Sequence, residues 1–408
     1  MSKSWNRIET WLALAVLAVG GVVAAIFGLH VYVTATATPL HPDSQRIPSE
    51  VRTAQAPGWL DAITQGRQAV RAGMTEQNLP GVSVAVGIGG DLVWAEGFGW
   101  SNLETHAPVT PDTPFRIGTA STVLTSAAVG LLLEQGRLRL DDEIQTFVPG
   151  YATKQWPVTL RQLLGHTAGI GNDGGDEGPL YGEHCERPVE ALAQFGDDAL
   201  RFEPGTRYRY SSYGWILVSA AVESAGNEPF LRFMREWVFQ PLGMGDTRAD
   251  ASPGESSGRA TPYFPRYAAD PRYGPDPMRD VDYSCYAGAS VFVSTPSDLV
   301  RFGMAMERGT FLKPETVQLL QATQRLRSGE ETGYGLGWDL ETVTLAGRTT
   351  RVVGHDGDSL GGMLASLTIV PDRGLVVAVT SNTSYADTAG IALKLAEAFA
   401  GRGDPAGK

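Results

Sequence analysis

Apolar residues along this chain recur with two different periods. Residues 82–88 and 92–98 are valine- and aromatic-rich, and Gly89-Gly90-Asp91 between them is a hairpin signal. Apolar spacing of three to four predicts a helix over 59–74 and another over 120–135, the latter ended by Gly136 as a C-cap. Residues 140–330 read mostly as helix and loop. Strands return over 334–340, 351–354, 363–370 and 375–380, and a last helix covers 386–400. Strands at both ends, with helices inserted between them, predict an α/β (α+β) fold. Its antiparallel sheet is assembled from both chain ends and flanked by helices, and a mainly helical lobe over roughly 140–330 sits beside it. A cleft between sheet and lobe is the default place for a site.

The N-terminus departs from this pattern. Lys3 and Arg7 precede an uncharged apolar run of 19 residues from Trp11 to Leu29. A membrane-spanning helix needs about 20 residues, whereas the core of a secretory signal has about 7 to 15. Run length favours an uncleaved transmembrane anchor over residues 1–33, and the flanking positives place the body outside the cytoplasm, on the periplasmic or extracellular side. Ala35-Thr36-Ala37 keeps a second reading open, that of a cleaved signal. Residues 34–56 are rich in threonine, proline and polar residues and read as a tether, which leaves 57–402 as the body.

Composition narrows the partners. A net charge of −12 and the lack of any basic run exclude nucleic acid and anionic headgroups as the main target. No dinucleotide or phosphate-binding motif is present, and no cofactor is implied. Two cysteines, Cys185 and Cys285, are too few for a structural zinc site. In an oxidising compartment they can close a loop of about 100 residues; two unrelated buried thiols are the alternative. Asp173, Asp176, Glu177 and Glu183 form an acidic loop without the ligand order of a calcium site, so a solvated loop is expected and no metal.

Six short segments, in order, carry the chemistry. They are Phe115-Arg116-Ile117-Gly118-Thr119-Ala120-Ser121-Thr122; Leu163-Leu164-Gly165-His166-Thr167-Ala168-Gly169-Ile170; Glu203-Pro204-Gly205 leading into Tyr210-Ser211-Ser212-Tyr213-Gly214; Pro241-Leu242-Gly243-Met244; Ser294-Thr295-Pro296-Ser297-Asp298-Leu299; and Gly354-His355-Asp356-Gly357. Together they resemble the serine β-lactamase and penicillin-binding-protein-like superfamily, most of all its class C-like esterase and peptidase branch, over roughly residues 60–400. The resemblance implies acyl transfer: a serine at a helix start attacks a carbonyl, and a lysine three residues on acts as base. A tyrosine relays protons, and backbone N–H groups form an oxyanion hole.

Carried over by position, Thr119 stands at the nucleophile and Thr122 at the lysine. Tyr210 stands at the tyrosine, Ser212 at the asparagine of the same motif, and His355-Asp356-Gly357 at the strand triplet. Thr119 and Asp358 would supply the oxyanion N–H groups. No other register restores the motif. The chain has five lysines, and three positions before Lys154, Lys313, Lys394 and Lys408 stand Tyr151, Thr310, Ile391 and Pro405, while Lys3 has no such predecessor. Ser121 lies two positions along the helix from Thr119 and points about 200° away. His166 reads as a structural residue of its turn.

Threonine can be a nucleophile, but its β-methyl restricts the rotamer and it still requires a base. The expectation is therefore a hydrolase scaffold with catalysis absent or much reduced. Two further readings remain open: an active ester or peptide hydrolase using Thr119 with Tyr210 or His355, and a non-catalytic protein that binds a cell-wall fragment or a partner. Asp356 and Asp358 beside His355 would repel an anion, so a neutral ester, amide or peptide is the expected ligand.

Overall fold

In a computed structural model, the described residues are 2–52, 57–172, 183–250, 258–279, 281–359 and 361–401. Seven strands make the main sheet: β1 (Ser49–Val51), β2 (Gly81–Ile88), β3 (Asp91–Asn102), β4 (Asp339–Leu345), β5 (Arg348–Ser359), β6 (Met363–Val370) and β7 (Leu375–Ser381). Their order is β1-β3-β2-β7-β6-β5-β4, antiparallel throughout, and Ala107–Pro108 adds a short eighth strand beside β3. The sheet is thus assembled from the two ends of the chain, as the spacing predicts. Gly89 and Gly90, at φ 61° and 102°, make the two-residue β2–β3 turn that other residues adopt only with strain.

Strand alternation divides the apolar side chains between two cores. On β7, Val377 and Val379 face helices α2 (Leu60–Gln77) and α6 (Thr388–Ala400), while Val376 and Ala378 face the helical lobe. That lobe includes α3 (Ser121–Glu134), α4 (Ser212–Gly226) and α5 (Pro296–Glu307). It also holds a three-stranded sheet of Phe115–Arg116, Arg248–Ala249 and Phe292–Ser294. At the start of α5 the Thr295-Pro296-Ser297-Asp298 run is structural. Thr295 caps the helix, and the buried Asp298 accepts the Asp246 N–H and the Thr247 hydroxyl, both at 2.9 Å.

The strand expected over 334–340 does not form. Tyr334 makes only an isolated bridge to Asp339, and β4 begins at Asp339, where the chain has left the turn closed by the Gly335 N–H on the Trp338 carbonyl. Gly333 and Gly337, at φ 72° and 96°, break the strand geometry.

The N-terminal segment is a continuous helix, α1 (Ser2–Thr36), with an apolar stretch from Thr10 to Thr36 none of which is buried through its most apolar window. The described part of the 34–56 segment is hydrogen-bonded to the body. The Leu40 N–H donates to Asn78 Oδ1 at 2.7 Å, buried His41 bonds the Leu79 carbonyl at 3.0 Å, and β1 joins the sheet edge. Arg71 holds the Ser44 and Gln45 carbonyls at 3.0 and 2.8 Å.

Cys185 and Cys285 form a disulfide with a Cα–Cα distance of 4.8 Å, closing a separation of 100 residues. In the chain-entropy account a loop of that length contributes up to about 4.7 kcal/mol. Replacing both cysteines by serine lowers unfolding stability by about 2–5 kcal/mol. Guanidinium denaturation of the detergent-solubilised protein measures this, and an unchanged midpoint contradicts it.

Candidate active site

The site begins with a buried charge. Arg116 is 1% exposed, ion-paired to Asp250 at 2.5 Å, bonded to the Val281 carbonyl at 3.0 Å and seated 4.8 Å above the Tyr283 ring. Asp250 also holds Arg259 at 2.9 Å. Removing one member of such a pair costs about 3–5 kcal/mol, because it strands the other charge out of water. This pin fixes the segment that turns through Gly118 (φ 51°) into the 3-10 turn Gly118–Ala120 and then α3. Thr119 sits on that turn, 5% exposed.

Strand β5 closes on the turn from the other side. A Cβ on Gly357 would lie 1.8 Å from the Ile117 carbonyl oxygen and 2.8 Å from the Ala120 nitrogen, so only glycine fits. The approach brings the Thr119 hydroxyl to the Asp356 carbonyl, to which it donates at 3.2 Å. One turn on, the fully buried Thr122 hydroxyl donates to the Thr119 carbonyl at 2.9 Å. Ser121, also fully buried, points away from both as its position on the helix requires, and its hydroxyl has no hydrogen-bond partner among the described residues.

His355 stands beside this pair, 4% exposed. Its Nδ1 lies 2.8 Å from the Asp356 carbonyl, which can only accept, so Nδ1 carries the proton. Nε2 is then an acceptor, and the Tyr334 hydroxyl donates to it at 3.1 Å. Burial pushes the Tyr334 phenol well above its ordinary value; Tyr210, Asp339 and Tyr208 raise it further, and a hydrogen bond with Thr122 opposes them. Tyr334 is therefore a neutral phenol lying between Thr122 and His355, and it donates to His355. Sequence reading missed it by treating 334–340 as a strand. The usable signal was Gly333-Tyr334-Gly335-Leu336-Gly337-Trp338, where alternate glycines mark irregular backbone that presents side chains singly.

Tyr210 is half-buried, stacked on His166 at 4.1 Å and 6.4 Å from the His355 ring. His166 occupies left-handed backbone at φ 55° and meets two donors, the Ser211 N–H at Nδ1 (3.1 Å) and the Trp215 indole at Nε2 (3.3 Å). A neutral ring accepts from only one of the two, and an imidazolium would set N–H against N–H at both. Burial, with His355 adding, holds its pKa well below 6.5. The ring organises the turn that carries Tyr210, as the sequence suggests. Ser211 caps α4, and the fully buried Ser212 donates its N–H to Asn172 Oδ1 at 3.0 Å. Asn172 lies outside every segment singled out from sequence, and no local signal marked it.

Thr119, Thr122, His355 and Gly357 thus meet at one junction, and Tyr210 joins through His166 and Tyr334. Asp356 does not face them. It pairs in register with Ser366, whose hydroxyl bonds Thr388 at the start of α6, so the Asp356 side chain is on the opposite face of the sheet. Desolvation in the crevice beside α6, and then Asp339 and Asp387, raise its pKa against the opposing effects of Ser366 and His355. The expected anion repulsion by its carboxylate therefore falls away, and its carbonyl is what reaches Thr119. The Asp358 backbone continues β5 opposite Leu364; its side chain lies outside what is described. So do Asp173, Asp176 and Glu177.

A lowered histidine pKa means the unfolded chain binds the extra proton below pH 6.5. The stabilisation from a neutral His166 is complete above pH 6.5 and declines as pH falls toward the folded-state pKa, by at most about 1.4 kcal/mol per unit. His41, likewise lowered by burial, adds to the same slope. Stability is expected to drop between pH 7.5 and 5.5, and His166→Asn to flatten that dependence in guanidinium titrations. An equal slope in the variant contradicts this account of the ring.

Similarity to known proteins agrees with this geometry. The mitochondrial serine beta-lactamase-like protein LACTB of Mus musculus is 25% identical over 468 residues, covering 88% of this chain and 84% of that one. Penicillin-binding protein 4 of Amycolatopsis lactamdurans is 29% identical over 332 residues, covering 76% and 83%. The crystal structure of D-amino acid amidase from Ochrobactrum anthropi SV3, complexed with L-phenylalanine amide, superposes with a TM-score of 0.68 at 22% identity, covering 83% and 99%. The family model described as Beta-lactamase matches residues 67–401, and the chain accordingly belongs to the beta-lactamase family, built on that family's serine-hydrolase scaffold.

Proposed function

We propose that this protein is a membrane-anchored family member, its body outside the cytoplasm, whose cleft holds a neutral ester, amide or peptide ligand with little or no acyl transfer. The observation that carries this reading is the state of the helical turn at Thr119. Its hydroxyl donates to a peptide carbonyl, and so does that of Thr122, where the family's mechanism needs an amine. A carbonyl oxygen in a sheet is far too weak a base to take the proton of an attacking alcohol. Both nitrogens of His355 are already engaged, one as donor to Asp356 and one as acceptor from Tyr334. Lys154 has its ammonium on the Gly196 carbonyl at 2.5 Å, away from this turn.

The binding half of the site is better preserved. The backbone N–H groups of Thr119 and Asp358, on the turn and on β5, are the candidates to polarise a ligand carbonyl. The half-buried Tyr210 is the candidate for the facing wall, with Ser212 buried behind it. A histidine rather than a lysine at position 355 suits a neutral ligand, in keeping with the amide bound by the related amidase. The apolar α1 and the Cys185–Cys285 disulfide suggest a secretory-pathway location.

Restoring the pair tests the reading. Thr119→Ser with Thr122→Lys is expected to hydrolyse short-chain nitrophenyl esters at least about 10²-fold faster than the unaltered protein, the usual scale of a restored general base. Thr119→Ser alone gains little, because the serine still lacks a base. A folded double variant that stays inert shows that the chemistry does not sit at this turn.

A further inference from the structure

The end of α1 meets the body at a specific patch. Arg266 donates from Nη2 to Thr36 Oγ1 at 2.8 Å and from Nη1 to the Thr36 carbonyl at 3.3 Å. His30 lies 6.1 Å from the Tyr267 ring and 6.0 Å from Tyr273, and those two rings meet edge-on at 5.5 Å. Val33 is 4% exposed, whereas Trp11, Leu17 and Phe27 are 72%, 71% and 66% exposed. Between Tyr267 and Tyr273 the chain loops outward through Ala268 and Ala269, both exposed and both at φ 53°. Past Thr36 there is no slack, because Leu40 and His41 are already bonded to Asn78 and Leu79.

Helix geometry sets the depth of this patch. The 19-residue apolar run from Trp11 to Leu29 is about 28 Å long at 1.5 Å per residue, close to the roughly 30 Å of a bilayer's hydrocarbon core. His30 follows that run directly, which sets it at the hydrocarbon boundary. The tyrosine rings around His30 then lie at headgroup level, where amphipathic aromatics are favoured. Arg266 brings a guanidinium group to the same level, where phosphates are, while that of Arg272 is paired there with Asp270.

We infer that the loop from Arg266 to Tyr273 is a membrane foot, resting on the phospholipid headgroups of the leaflet from which α1 emerges and holding the body against the bilayer at a fixed orientation. This rests on the anchor reading of α1. Its occupant is the lipid interface itself, continuous with the span.

Depth-dependent fluorescence quenching of the full-length protein in phosphatidylcholine vesicles tests it. With the native disulfide kept oxidised, an environment-sensitive fluorophore is attached at Ala268→Cys, at Leu17→Cys within the helix, and at exposed Ser328→Cys on the body. Nitroxides are placed on the lipid headgroup or deep in the acyl chain. The expected result is several-fold stronger headgroup-nitroxide quenching at position 268 than at 328, and acyl-chain quenching at 17. If 17 is quenched but 268 behaves like 328, the foot is wrong and the anchor stands. If 17 escapes acyl-chain quenching, α1 is outside the bilayer and both are overturned.

Discussion

The site depends on one close approach of two backbones. Gly357 on β5 lies against the turn that carries Thr119 with no space for a single carbon more. A sheet strand and a helix start seldom approach so closely, and here the contact is held from both directions. Arg116 and its buried carboxylate fix the turn, and seven residue pairs with β6 fix the strand. The chemistry of the site follows from this junction. It brings the Thr119 hydroxyl to a strand carbonyl and sets His355 near Thr122, with Tyr334 between them.

Around that junction the hydroxyls and the imidazole hydrogen-bond to one another and to backbone carbonyls. Thr119 and His355 both donate to the Asp356 carbonyl, Thr122 donates to Thr119, and Tyr334 donates to His355. A working acyl-transfer site requires the opposite arrangement, with a hydroxyl aimed at a group that wants its proton. In the proposed function, the turn keeps a hydroxyl at the nucleophile position and has no base beside it to take the proton.

Much of the fold was legible because its signals are local. The β2–β3 hairpin follows from period-two apolar spacing around two glycines, and α3 from a 3.6 period ended by Gly136. The positions of Thr119, Thr122, Tyr210 and His355 could be read from ordered short motifs. What could not be read depends on contacts distant in sequence. Tyr334 reaches the site because glycines on both sides break a strand that its apolar pattern suggests. Asn172 reaches Ser212 across 40 residues. Asp356 faces away because strand register decides the face, and a motif carries no register. Residues 37–52 resemble a tether in composition, yet Asn78 and Arg71 lace them to the body.

The most direct test is the mass of the intact protein after exposure to an acylating or phosphonylating probe. The unaltered chain, incubated with a fluorophosphonate or a penicillin, is expected to retain its original mass while short-chain esters in the same buffer are turned over no faster than in its absence. A stoichiometric adduct mapped to Thr119, together with ester turnover that disappears in Thr119→Val, would contradict the account of a cleft without a base.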